Sequence, residues 1–209
     1  SPEFTIPLDL ISLYEDRGQM ALLMGALGVD LSYCKLFERT VESGDIYKNM
    51  ELLAYNLDLP REIFDKSSDE LEWYVSKPDS LTKLIDQIYG DVDAYFREQN
   101  EESLASLSLL GGWLEAMYIG VRIYQDKSVL DMGERILQQK YALKSLTGLL
   151  SNYQESLVIR TYMPLLAHLN EAYESVEIKV SDVTEVSYEP ETLQEICNLI
   201  IQIREGIIQ

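Results

Sequence analysis

The chain has 209 residues, 46% hydrophobic and 25% charged, with only 11 glycines and 6 prolines. That length suits one domain or two small ones and can bury roughly 70% of the unfolded surface, and so few glycines and prolines exclude a disordered or fibrous chain. The formal charge of −19 excludes a binder of nucleic-acid backbone, which needs clustered lysine and arginine, and opposes docking on anionic lipid.

Ser1-Pro2-Glu3-Phe4 reads as a cloning scar, which leaves 5–209 as a single all-helical domain. Met20, Leu23, Met24, Leu27, Leu31, Cys34, Phe37 and Val41 step by three and four, as one face of a helix does, and Gly44 is expected to break that run. A shorter helix with Ile46, Met50, Leu53 and Leu57 should end before Pro60. One or two short helices are expected over 61–75, around Ile63, Phe64, Leu71 and Trp73. Leu81, Leu84, Ile85, Ile88, Val92, Tyr95 and Phe96 then mark a helix over about 79–98, with Asp79 or Ser80 as its cap.

Asn100 is the expected cap of the next helix, about 101–125, and one further helix is expected over about 128–150. Pro164 should kink a helix over about 154–175, because proline removes a backbone donor. Residues 176–188 alternate Val176, Ile178 and Val180 with polar residues, but one strand makes no sheet, so an extended connector is expected. Pro190 opens the last helix. The sum is an all-α fold of eight to nine helices packed as antiparallel hairpins, either a bundle or a right-handed array of helical hairpins.

The chemistry-bearing residues are few. No run approaches 18 unbroken apolar residues, so no membrane span is expected. Cys34 and Cys197 sit in apolar helical registers and read as buried free thiols, with a bridge between them left open. The only histidine is His168, and no nucleophile or metal motif surrounds it; an iron ligand is its one functional reading, and no metal site or enzyme activity is expected. Asp69-Glu70, Asp91-x-Asp93 and Glu101-Glu102 read as solvated helix faces or helix starts. Gly25-Ala26-Leu27-Gly28 lies in a helical register and is no phosphate loop.

Ser108, Gly112, Ala116 and Gly120 recur every four residues, so one helix carries a smooth stripe. Glycine inside a helix costs about 1 kcal/mol relative to alanine, which makes Gly111, Gly112 and Gly120 unlikely to be idle. Two readings stand: close helix–helix approach, or a furrow for a flat ligand walled by Trp113, Met117, Tyr118 and Tyr124. The 14 tyrosines suit core edges and ligand clefts alike. Arg122, Lys140 and Lys144 are either scattered surface cations or partners for ligand carboxylates.

Two motifs look familiar. Gly28-Val29-Asp30-Leu31-Ser32-Tyr33 and Gly111-Gly112-Trp113-Leu114-Glu115-Ala116 resemble paired motifs of a family of small helical lipoproteins exported by Gram-negative anaerobes, over roughly residues 18–175. Within that family the size and tyrosine content are most similar to the HusA-like haemophores. The resemblance implies a lipid-anchored outer-membrane or secreted protein that captures haem or metal-free porphyrin and delivers it to an outer-membrane haem receptor, and a helical-hairpin fold similar to tetratricopeptide repeats. With one histidine, haem is expected to be held by its faces, with tyrosine as an open alternative ligand. A helical adaptor binding a peptide or protein in a hairpin groove is the other reading of the same surface.

Overall fold

A computed structural model describes residues 4–65, 70, 73–74, 76–127, 130–180 and 184–208. It is 80% helical, and the all-α class is right. The described α-helices are α1 (Arg17–Leu36), α2 (Thr40–Asn56), α3 (Pro78–Glu98), α4 (Glu102–Lys127), α5 (Leu130–Leu137), α6 (Lys140–Leu150), α7 (Leu157–Glu174) and α8 (Pro190–Glu205). The chain divides into two compact units, Ser1–Glu115 and Ala116–Gln209, and α4 runs from one into the other.

In the first unit α1 is buried nearly all round, from Met20 to Gly28 without interruption, as the central helix of a core must be. It packs on α2 and on α3. The three-residue link between α1 and α2 makes that pair an antiparallel hairpin, as expected. The helix break, however, falls earlier than Gly44. Glu38 adopts the left-handed conformation, φ 54°, and α2 then runs straight through Gly44. Phe37 and Val41, expected on the buried stripe, are exposed as a result.

The same termination recurs. At the ends of α1, α2 and α3 a left-handed residue (Glu38, Asp58, Asn100) is followed by an amide that bonds back five residues: Arg39 to Cys34, Leu59 to Ala54, and Glu101 to Phe96, at 3.1, 2.9 and 2.7 Å. This arrangement satisfies carbonyls that the helix leaves open. Asn100 therefore closes α3 rather than capping α4. Arg17, at the start of α1, joins two of these turns by ion pairs to Asp58 (2.9 Å) and Glu101 (2.8 Å). α3 begins at Pro78, with Lys77 before it, so Asp79 and Ser80 lie inside the first turn and neither is the cap. Proline fits there because the first helical amide has no partner anyway. Of the helices expected over 61–75, a short 3-10 turn at Arg61–Ile63 is described; Leu71 and Asp69 lie outside the described residues. Phe4, set aside with the cloning scar, is buried and stacks on Tyr33.

In the second unit the helix expected over 128–150 is two, α5 and α6, separated at Gln138 and Gln139. α6 packs on α7, and α7 on α8. Helix α7 continues through Pro164. The expected connector is a hairpin: β1 (Glu177–Val180) pairs antiparallel with β2 (Thr184–Ser187), Ile178 opposite Val186. Both strands come from the one segment, which the one-strand reading overlooked. Side chains tie this unit together. Tyr173 donates to the Ile136 carbonyl at 2.8 Å, and Lys140 donates to the carbonyls of Glu174 (3.2 Å) and Val176 (2.9 Å). Cys34 and Cys197 are both free and buried.

Candidate functional site

The small residues of α4 do two different jobs. In the first unit Gly111 faces the Leu22 carbonyl so closely that a Cβ would overlap it, and Gly25 of α1 faces the Ser108 carbonyl in the same way. Here backbone touches backbone, so the close-approach reading of Gly111 is the right one. Gly28 leaves a notch that the Tyr89 ring of α3 fills, and the Tyr89 hydroxyl donates to the Gly25 carbonyl. Burial pushes the Tyr89 hydroxyl well above its ordinary pKa, with the nearby Asp30 charge adding to the effect.

Beside this crossing lies an open cavity of about 510 Å³, within the range of small-molecule sites. Helix α4 lines it with Ala105, Ser108, Leu109, Gly112 and Trp113. Helix α3 contributes Tyr89, Gly90, Val92 and Asp93, and α1 contributes Val29. Its walls are mostly apolar, with Asp93 the one charged side chain among them. Arg97 holds that carboxylate with two bonds, at 2.7 and 3.0 Å. Leu109 is 56% exposed, so an apolar edge stands open to solvent. The Trp113 indole nitrogen is buried without a hydrogen-bond partner. A donor that water cannot reach is not offered to a ligand in the cavity either.

Of the residues the sequence pointed to, Gly112 and Trp113 line this cavity. The others do not. Ala116 is exposed, and Met117 and Tyr118 are buried. The Tyr118 ring lies under the buried Arg204 guanidinium, 4.2 Å from its centroid, with Arg122 at 5.9 Å. Gly120 has Met132 and Ile136 at ordinary contact distance, and Tyr124 lies against Gly133. Lys140 is engaged with backbone carbonyls, Lys144 is exposed, and His168 is exposed on α7. Among the described residues no group of histidine, cysteine and carboxylate side chains is arranged to hold a metal.

Tyr89, Gly90 and Leu109 were missed. The overlooked signal is the pair Gly25 and Gly28 on one face of α1: two helical glycines three apart mark a close approach, and a large side chain must fill the remaining space. A second cavity of about 590 Å³, between α2 and the following turn, is lined by Glu51, Asp58, Arg61 and Asp65 over Leu59 and Phe64. Burial and the Asp65 charge raise the Glu51 carboxyl above its ordinary pKa.

Helix α4 is long and apolar enough to cross a membrane, which counting unbroken apolar runs had not suggested; 72% of its most apolar window is buried within the protein. No protein-family model, curated protein or solved structure matches this chain.

Proposed function

We propose that the chain is a carrier, not an enzyme, and that the cavity beside Gly112 and Trp113 takes the face of a flat apolar ligand, a haem or metal-free porphyrin. The observation that carries this reading is that the Gly-Gly-Trp motif behind the haemophore resemblance supplies two lining residues, Gly112 and Trp113, of an open, mostly apolar cavity of about 510 Å³. Burying a few hundred Å² of such a ligand gives several kcal/mol at about 25 cal/mol per Å² before the losses of association. On the same reading the protein is exported, anchored at or secreted from the outer membrane, and hands its cargo to a receptor there.

The lining shapes the expected chemistry. The Tyr89 hydroxyl is committed to the Gly25 carbonyl and His168 is not on the lining, so iron has no ready ligand. Haem and protoporphyrin IX should then bind within about tenfold of one another, with contact area dominating. Absorbance titration of both measures it. Gly90→Leu provides the structural control: Gly90 lines the cavity and a Cβ there meets nothing within 4 Å, so a larger side chain takes up space at its rim without pressing on the fold. It should weaken both ligands by about tenfold or more. A preference for haem above about a hundredfold overturns face binding, and no spectral change with either ligand overturns the porphyrin reading. In the latter case the open Leu109 edge favours a peptide helix laid in the groove.

A further inference from the structure

Three apolar side chains stand in the open at the turn between α1 and α2: Leu36 at 74%, Phe37 at 47% and Val41 at 74% exposure. We infer that this tip is a docking point for a zwitterionic lipid surface. The tip is firmly mounted. The Cys34 carbonyl accepts from the amides of Phe37 and Arg39, both at 3.1 Å, and Phe37 packs edge-on against the buried Tyr33, ring centroids 5.0 Å apart. A preformed turn loses little conformational freedom on insertion. The amides of Phe37, Glu38, Arg39 and Thr40 all bond within the turn, which lowers the cost of placing it in apolar surroundings.

Charge and size select the occupant. Lys35, Glu38, Arg39 and Glu42 flank the apolar residues, and two cations cancel two anions. Arg39 pairs with Glu42 at 2.8 Å, and Lys35 is bonded to Thr82. The tip is thus locally neutral on a chain of charge −19. A second copy would bring one strongly acidic body against another. Even at an aromatic-sized upper bound of about 200 Å² each, three side chains fall short of the roughly 800 Å² per partner that a stable protein interface uses. Anionic lipid is repelled by the chain as a whole, whereas a neutral headgroup layer is not. Side chains at a helix end reach the headgroup–acyl boundary, about 5–10 Å deep.

Sedimentation with phosphatidylcholine vesicles tests the inference. The intact chain should partition onto them, equally in low salt and in ~0.5 M NaCl, and less when about a third of the lipid is phosphatidylserine. The double variant Leu36→Gln/Val41→Gln changes only exposed side chains, and its thermal unfolding should match the parent. Its partition coefficient should fall about tenfold or more. Leu157→Gln, equally exposed but in the second unit, should bind like the parent. Failure of the parent to sediment overturns the inference, as does equal binding by the double variant or an equal loss in Leu157→Gln. So does light scattering that shows a dimer which the double variant abolishes, since the tip would then cover a second copy.

Discussion

In the first unit helices end on left-handed residues and cross with backbone against backbone; in the second, side chains are added to the backbone bonds that close the helices. α1, α2 and α3 each close on a left-handed residue whose following amide returns to a carbonyl five residues back, and α1 meets α4 where Gly25 and Gly111 have no Cβ. Beyond Glu115 the described residues include none with a positive φ. There the end of α7 is held by the Lys140 ammonium, the end of α5 by the Tyr173 hydroxyl, and the Tyr118 ring by the Arg204 guanidinium. Backbone contacts tolerate no added atom, because a peptide group cannot rotate aside. Side-chain contacts can be trimmed or replaced with graded losses. The two units should therefore respond differently to comparable substitutions.

The sharpest break in the comparison is within α4 itself. Gly111→Ala should lose more than about 3 kcal/mol or fail to fold, since its Cβ overlaps the Leu22 carbonyl. Gly120→Ala, whose nearest neighbour is the Met132 sulfur at 3.6 Å, should be neutral or gain about 0.5–1 kcal/mol. Urea unfolding of the two variants decides it, and equal losses would dissolve the distinction between the units. Next in size is Tyr173→Phe, which removes one of the two donors to the Ile136 carbonyl, the Gln139 amide at 3.1 Å remaining, and should cost about 1 kcal/mol.

Smaller still is Gly44→Ala. Nothing lies within 4 Å of a Cβ there, so the variant should gain about 0.5–1 kcal/mol from helix propensity alone. The last test concerns one thiol in each unit. Burial pushes Cys34 and Cys197 up to about 11, and the charges of Asp30 and Glu42 also raise Cys34. A folded thiol pKa above the unfolded value means that the folded state holds its proton longer. The two thiols therefore leave stability flat through neutral pH and lower it as pH rises from about 9 towards 11. Ellman's reagent at neutral pH should modify neither until the protein unfolds.

Periodicity was a good guide wherever a helix buries one face. The stripe from Leu81 to Phe96 locates α3 to within a residue or two, and Pro190 marks the start of α8. It misplaced the boundaries set by backbone conformation. Glu38 is an unusual left-handed residue, so nothing in its identity announced the end of α1, whereas Gly44 announced a break that does not occur. Gly112 and Trp113 were found because helical glycines demand a reason. Met117, Tyr118 and Arg122 were grouped with them by proximity along one helix, and Lys140 and Lys144 by their place on a following one, neither of which says which neighbour each face meets.

Sequence by itself determined that this chain is all-α and that the glycines of α4 had work to do. Apolar spacing and the unfavourable helix propensity of glycine are local properties, readable one residue at a time. Only the tertiary structure decided that Gly25 and Gly111 serve a backbone crossing while Tyr89, Gly90 and Leu109 join Gly112 around a cavity. That division depends on which carbonyl or ring stands opposite each missing Cβ, a contact between segments tens of residues apart in the chain.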